Sequence, residues 1–119
     1  MSLVRTLLAV TVLALALAVS AAAATPRLVG IVGPGDAFKI TLTKGGQKVT
    51  KLASGKYTIT VTDTSRIHNY RLKGPGVNKD SGVVAKPGKV TWNVTLKSGA
   101  YTFVCDPHAS TMKGTFKVT

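Results

Sequence analysis

The chain has 119 residues, of which 16 are Lys or Arg and only four are acidic, so its formal net charge is +12. That length fits one domain, and a hydrophobic content of 45% is too high for intrinsic disorder. A single cysteine excludes an intramolecular disulfide. The four acids, all Asp, are too few for a paired-carboxylate glycosidase or an EF-hand calcium site to be expected.

The first 24 residues have the composition of a secretory signal. Residues 1–5 carry a positive charge, residues 7–19 form an apolar run, and alanines at 21–24 provide the small side chains of a cleavage site. We expect cleavage after Ala24 and export to the periplasm or the cell exterior. The mature chain would be a single domain over residues 25–119, and loss of Arg5 would lower its net charge from +12 to +11. An uncleaved anchor is the alternative, although the apolar run barely reaches the roughly 20 residues that span a bilayer.

Apolar and polar residues alternate with a period of two through the mature chain, which indicates β-strands. Turn signals rich in Gly and Pro separate the alternating runs, and no segment has a helical period over 11 or more residues. The sequence therefore predicts an all-β antiparallel sandwich or barrel. The predicted inward-facing residues are Phe38, Ile40 and Leu42, then Tyr57, Ile59 and Val61, then Val90, Trp92, Val94 and Leu96.

A short pattern occurs twice, at an offset of 44 residues. Residues 52–58 and 96–102 share a Leu, a Gly three residues later and a Tyr two residues after that. This pattern resembles the tyrosine corner of Greek-key sandwiches, in which the phenol bonds to the backbone a few residues upstream. Two hairpins that share only their turn residues are the alternative.

The same alternation places a cysteine and a histidine on the inner face. If Tyr101 points inward, Cys105 does too, and Tyr70 similarly predicts an inward His68, because side chains two residues apart share a face. An exposed, unpartnered thiol would be oxidised outside the cytoplasm. We therefore expect Cys105 to be sealed in the core or held by something other than a second sulfur.

The donors along residues 105–112 suggest a metal site. Cys105, His108 and Met112 supply a thiolate, an imidazole and a thioether, and His68 is the only other histidine. Two His, one Cys and a weak Met are the ligands of blue-copper electron-transfer sites. Zinc usually takes a fourth strong ligand, so the set favours copper. Taken singly, each residue could instead be an ordinary core or surface residue.

Residues 101–108, together with the His68-Asn69 pair and Met112, resemble the plastocyanin/azurin family of cupredoxins. The likeness extends over residues 38–119. It implies a Greek-key β-sandwich of about eight strands with one type 1 copper ion at one end. The equatorial ligands would be His68, Cys105 and His108, and the axial ligand would be Met112.

The resemblance also gives roles to the neighbours of the ligands. It implies that Asn69 ties the two ligand-bearing segments together through Asp106 or the Cys105 backbone. The three residues between His108 and Met112 depart from the family spacing. A three-coordinate site, or one that uses a backbone oxygen such as that of Ile67, therefore stays open. A buried Asp106 carboxylate near the thiolate would lower the reduction potential, unless it points into water.

The resemblance implies an electron carrier rather than an enzyme, with the edge of His108 as the electron port. A Cu(I) carrier or copper-homeostasis protein is the alternative, although Met112 would be the only methionine of the mature chain. A metal-free structural module also remains open. The positive charge predicts an acidic redox partner. Nucleic acid is not expected, because the basic residues from 27 to 117 form no run. We expect a monomer that meets membranes only transiently, through the signal or a membrane-bound redox complex.

Overall fold

The structure is a computed structural model, and it describes residues 14–19 and 23–119. Most of the predicted signal segment, including its charged start and residues 20–22, lies outside the described residues. Signal cleavage and the boundary at Ala24 therefore stay predictions. In the part of the chain that is described, no helix has the length and apolar character needed to cross a bilayer.

The described chain is all-β, as predicted, with ten strands in two five-stranded sheets. The strands are β1 (Arg27–Val32), β2 (Ile40–Lys44), β3 (Gln47–Lys48), β4 (Lys51–Leu52), β5 (Gly55–Asp63), β6 (Arg71–Gly74), β7 (Val77–Asp80), β8 (Gly88–Leu96), β9 (Gly99–Val104) and β10 (Lys113–Val118). One sheet has the order β3-β2-β1-β5-β8, and the other has the order β4-β10-β9-β6-β7. Two short 3₁₀ turns lie at Pro34–Asp36 and Asp106–His108.

Eight of these strands have four residues or more, in agreement with the expected number, and β3 and β4 have two residues each. Strand β1 was not predicted from the sequence. It pairs antiparallel with β2 and parallel with β5, and its inward positions are Leu28, Gly30 and Val32. Because a Cβ on Gly30 would lie 2.8 Å from Cζ of Tyr70, this position has no apolar side chain. The alternation of apolar and polar residues along β1 is therefore weak in the sequence.

The long strands bury the predicted faces. Along β5 the inward residues Tyr57, Ile59 and Val61 are buried, and Trp92 to Leu96 of β8 follow the same alternation. The prediction for Phe38 was wrong. This side chain is 62% exposed and lies before β2 begins, because the chain leaves the sheet at that point.

Both repeated patterns form the hydrogen bonds of a tyrosine corner. The phenol of Tyr57 donates to the Ala53 carbonyl at 2.7 Å. The phenol of Tyr101 lies 2.9 Å from the Lys97 carbonyl, to which it donates, and accepts from the Lys97 N–H at 3.0 Å. The tyrosine-corner interpretation is therefore confirmed. Tyr101 fixes the start of β9, and Cys105 follows the other end of the same strand.

Candidate metal centre

Strand pairing brings the two ligand-bearing segments to one end of the sandwich. His68 lies in the loop that precedes β6, Cys105 directly follows β9, and His108 ends the second 3₁₀ turn. Strands β6 and β9 are antiparallel neighbours, with Arg71 opposite Val104. The residues that precede β6 therefore lie beside those that follow β9.

The three strong donors converge. Nδ1 of His68 and Nδ1 of His108 are 3.0 Å apart, and Sγ of Cys105 lies 3.6 Å from the first and 3.5 Å from the second. A circle through these three atoms has a radius of about 2.0 Å, close to the 2.0–2.3 Å typical of bonds from imidazole nitrogen and thiolate sulfur to a metal. The arrangement therefore leaves room for one metal ion among the three donors.

Two of the three donors, His68 and Cys105, are shielded from water, as the strand alternation predicted. His68 and Cys105 are fully buried, and His108 is half-buried. Burial raises the pKa of the Cys105 thiol; the backbone N–H groups of Asn69 and His108 oppose this rise, and the Asp106 carboxylate adds to it. A cation between the donors would offset the cost of the buried thiolate.

Met112 closes the loop that carries Cys105 and His108. Its side chain is buried, its N–H donates to the His108 carbonyl at 2.8 Å, and its carbonyl accepts from the Cys105 N–H at 3.0 Å. The three-residue spacing therefore returns the chain to the side of Cys105. Its role as an axial ligand stays a prediction, as do the ligand roles of the other three residues.

Asn69 joins the two ligand-bearing segments, as the resemblance implied. Its Nδ2 donates to Oδ2 of Asp106 at 2.7 Å, and its Oδ1 accepts from the Asp106 backbone N–H at 2.7 Å. One amide thus makes two short bonds to the residue that follows Cys105. This pair of bonds fixes the position of the His68 segment relative to the Cys105 segment.

Asp106 points outward and has a cationic partner. Its carboxylate accepts from Nε of Arg71 through both oxygens, at 3.0 and 2.8 Å. Burial alone would raise the pKa of Asp106, but the hydrogen bonds from Asn69 and Arg71 outweigh it and hold the pKa below its usual value. The carboxylate is therefore neither buried nor uncompensated, and the expected lowering of the potential by a buried charge does not apply.

Phe38 covers both imidazoles from outside. Its ring centroid lies 5.1 Å from that of His68 and 4.8 Å from that of His108, in edge-to-face geometry. The His108 edge, which the resemblance implies as the electron port, therefore lies beside an exposed aromatic ring.

Sequence reasoning missed Phe38 and Arg71 as neighbours of this site. An indirect signal exists for Arg71. Because Leu72 and Cys105 point inward, the adjacent residues Arg71 and Asp106 point outward. Their meeting could be inferred only once β6 and β9 were known to pair. Phe38 shows no such signal, because its spacing continues the apolar alternation of β2.

Residues 39–119 match the family described as copper binding proteins, plastocyanin/azurin family. The chain belongs to this family. Membership in the plastocyanin/azurin family, together with the clustered His and Cys donors, makes copper the cofactor and indicates electron transfer. The fold is that of the cupredoxins.

Solved cupredoxin structures resemble this chain at low sequence identity. Reduced rusticyanin is 21% identical, with 83% of this chain and 82% of that chain covered and a TM-score of 0.59. Rusticyanin from Thiobacillus ferrooxidans is 23% identical, with 82% and 79% covered and a TM-score of 0.56. Auracyanin A, a "blue" copper protein from the green thermophilic photosynthetic bacterium Chloroflexus aurantiacus, is 16% identical, with 81% and 100% covered and a TM-score of 0.52. A comparison with curated protein sequences finds no significant match.

Proposed function

We propose that this chain is an exported electron carrier, not an enzyme, which passes single electrons between redox partners through one type 1 copper ion. His68, Cys105 and His108 would hold the ion, and Met112 would be its weak axial ligand. The observation that carries the proposal is the triangle of two imidazole nitrogens and one thiolate sulfur, with sides of 3.0 to 3.6 Å. Copper bound there would supply a Cu(II)/Cu(I) couple.

The surroundings of the donors suit a carrier that changes oxidation state with little rearrangement. Asn69 fixes the His68 segment to the Cys105 segment, and the Met112 backbone closes the loop on Cys105. The segments that carry the three donors are therefore held by backbone and amide groups that do not themselves bind the metal. A fixed donor geometry lowers the structural cost of gaining or losing an electron.

Optical and EPR spectra of the copper-loaded chain over residues 25–119 test this function. We expect an intense thiolate-to-Cu(II) absorption and reversible one-electron redox, both lost in Cys105→Ser. Colourless Cu(I) binding with rapid transfer would instead support a copper carrier. Failure to bind stoichiometric copper would leave a structural module.

Electrons would enter and leave at the end of the sandwich where Phe38 and His108 lie. His108→Gly should open a coordination site that free imidazole fills, with a change in the copper spectrum. Cys105→Ser serves as the control, because it removes the thiolate absorption whatever is added. An unaltered His108→Gly spectrum on adding imidazole would contradict the assignment of His108 as the port.

We also propose that the carrier is monomeric and meets an acidic redox partner. Lys39 and Arg66 are exposed beside Phe38 and Ile67 along the chain, and the net charge is strongly positive. Positive charge attracts an anionic partner at low ionic strength, and salt screens that attraction. Hexacyanoferrate(III) should therefore oxidise the reduced protein more slowly as salt is added, whereas a cationic cobalt(III) complex should show the opposite trend. Parallel trends would count against charge steering.

A further inference from the structure

Arg71 links the ligand-bearing loop to the β6–β7 hairpin. Besides its two contacts with Asp106, its guanidinium donates through Nη2 to Oδ2 of Asp80 at 3.0 Å and through Nη1 to Oδ1 of Asn78 at 3.0 Å. One side chain thus contacts the residue after Cys105 and two residues of β7. Its side chain is 23% exposed and those of the two carboxylates are 37% exposed, so the cluster is only partly open to water.

Strand register explains why arginine suits this position. Arg71 lies opposite Val104 of β9 on one side and opposite Asp80 of β7 on the other. Its side chain therefore lies between the end of β9 and the end of β7. A planar guanidinium can donate in several directions at fixed angles, whereas a lysine ammonium is a single point charge on a flexible stem.

The two carboxylates held by Arg71 also hold Asn69. Nδ2 of Asn69 donates to Oδ1 of Asp80 at 3.2 Å as well as to Asp106 at 2.7 Å. Oδ1 of Asp80 accepts the Gly82 N–H at 3.0 Å, which adds the next loop to the cluster. The amide that joins the two ligand segments is therefore positioned by carboxylates that share one guanidinium.

We propose that Arg71 is a positioning residue of the metal centre: it fixes Asp106, and through Asp106 and Asp80 it fixes the Asn69 amide that joins the segments carrying His68 and Cys105. It also balances the negative charge of Asp106 beside the thiolate. The role in the metal centre rests on the proposed function. The hydrogen-bonded cluster itself, which we call the clasp, consists of Asn69, Arg71, Asp80 and Asp106 and can be measured without metal.

Three variants separate charge from positioning. Arg71→Met removes both the charge and the guanidinium fork, and Arg71→Lys keeps only the charge. Lys73→Met is the matched control. Lys73 lies two residues further along the same outward face of β6 and, among the described residues, donates no hydrogen bond to this cluster. Its loss removes the same charge without breaking the clasp.

Amide hydrogen exchange of the metal-free protein measures the clasp at the Asp106 N–H, which donates to Asn69. We expect Arg71→Met to speed this exchange by about tenfold or more, Arg71→Lys to have an intermediate effect and Lys73→Met to change it less than about threefold. In the copper-loaded protein, Arg71→Met should favour Cu(II) over Cu(I) by about tenfold, which equals a 59 mV fall in potential for a one-electron couple. Arg71→Lys should stay near the wild-type potential but broaden the EPR spectrum.

Equal effects of Arg71→Met and Lys73→Met on Asp106 exchange and on the potential would overturn the proposal, because charge alone would then explain the result. Failure of the proposed function gives a different outcome. If wild-type protein binds no copper but Arg71→Met still accelerates Asp106 exchange, the electron-carrier function fails and the clasp through Arg71 stands.

Discussion

Two glycines, one just before the first 3₁₀ turn and one within it, provide a direct test of how His68 is positioned. Gly33 and Gly35 have almost the same left-handed backbone, with φ of 63° and 60°. A Cβ on Gly33 would lie 2.5 Å from Cδ2 of His68 and 2.6 Å from Cβ of Ser65, whereas a Cβ on Gly35 meets nothing within 4 Å. Alanine at either position adopts an unfavourable backbone conformation, but only alanine at 33 also collides with the imidazole.

The two costs can be estimated separately. The left-handed conformation costs alanine about 1 kcal/mol relative to glycine at both positions. Overpacking in a tightly filled region costs about 1–3 kcal/mol more. We therefore expect Gly35→Ala to lower the free energy of unfolding by about 1 kcal/mol and Gly33→Ala to lower it by about 2–4 kcal/mol.

Urea unfolding of the metal-free protein measures both values, and the copper EPR spectrum reports whether His68 has moved. Gly33→Ala should change the spectrum, because the imidazole has to shift to make room for the new methyl group, and Gly35→Ala should leave the spectrum unchanged. Equal losses of stability with two unchanged spectra would refute the view that this turn packs against His68.

Three further predictions concern other parts of the molecule. Tyr101→Phe leaves both Lys97 backbone groups without their partner and should lower the free energy of unfolding in urea by about 2 kcal/mol. Tyr57→Phe loses one hydrogen bond and should lower it by about 1 kcal/mol. A larger loss for Tyr57→Phe would contradict this prediction. Burial raises the pKa of Asp63 above its ordinary 3.8, although the Ser65 N–H and His68 oppose the rise. The protonated carboxyl therefore favours folding at low pH, and this contribution to stability is lost as pH rises through the folded-state pKa. The free energy of unfolding of Asp63→Asn minus that of wild type should therefore be larger at pH 7 than at pH 3 in parallel denaturant titrations. A difference that is the same at both pH values would contradict this prediction. Met112→Leu conserves volume and should lower the free energy of unfolding by less than about 1.5 kcal/mol. It should nevertheless raise the copper reduction potential measured by voltammetry, because it removes the axial thioether. An unchanged potential would favour a three-coordinate site.

Local alternation was enough to predict the strands that bury one face. Tyr57 to Val61 and Trp92 to Leu96 follow a period of two, and the structure buries those residues. The same rule placed Cys105 on the inner face correctly, because it continues β9 by one residue. Such inferences need only the geometry of a single strand, which its own sequence encodes.

Features that depend on pairing between distant segments could not be predicted in this way. Arg71 meets Asp106 because β6 pairs with β9, and no local pattern specifies that register. Gly30 breaks the apolar pattern of β1 because the Tyr70 ring fills its side-chain space, a contact that forms only when the two sheets pack. For Phe38 the local rule gave the wrong answer, since the chain leaves the sheet just where the alternation still continues.

Strand β9 connects the stability of the sandwich to the geometry of its metal site. Tyr101, Phe103 and Cys105 share one face, so the strand carries a tyrosine corner near its start, a core ring in its middle and a candidate metal donor just past its end. The four residue steps from Tyr101 to Cys105 span about 13 Å along the strand, so the phenol and the thiol do not act on each other directly. Pairing with β6 and β10 on both sides keeps that span rigid. The Cys105 sulfur therefore follows a strand whose start is anchored by the tyrosine corner, while the clasp fixes the chain just after the strand ends. Loosening the tyrosine corner should lower stability without altering the copper spectrum, whereas loosening the clasp should alter the spectrum first.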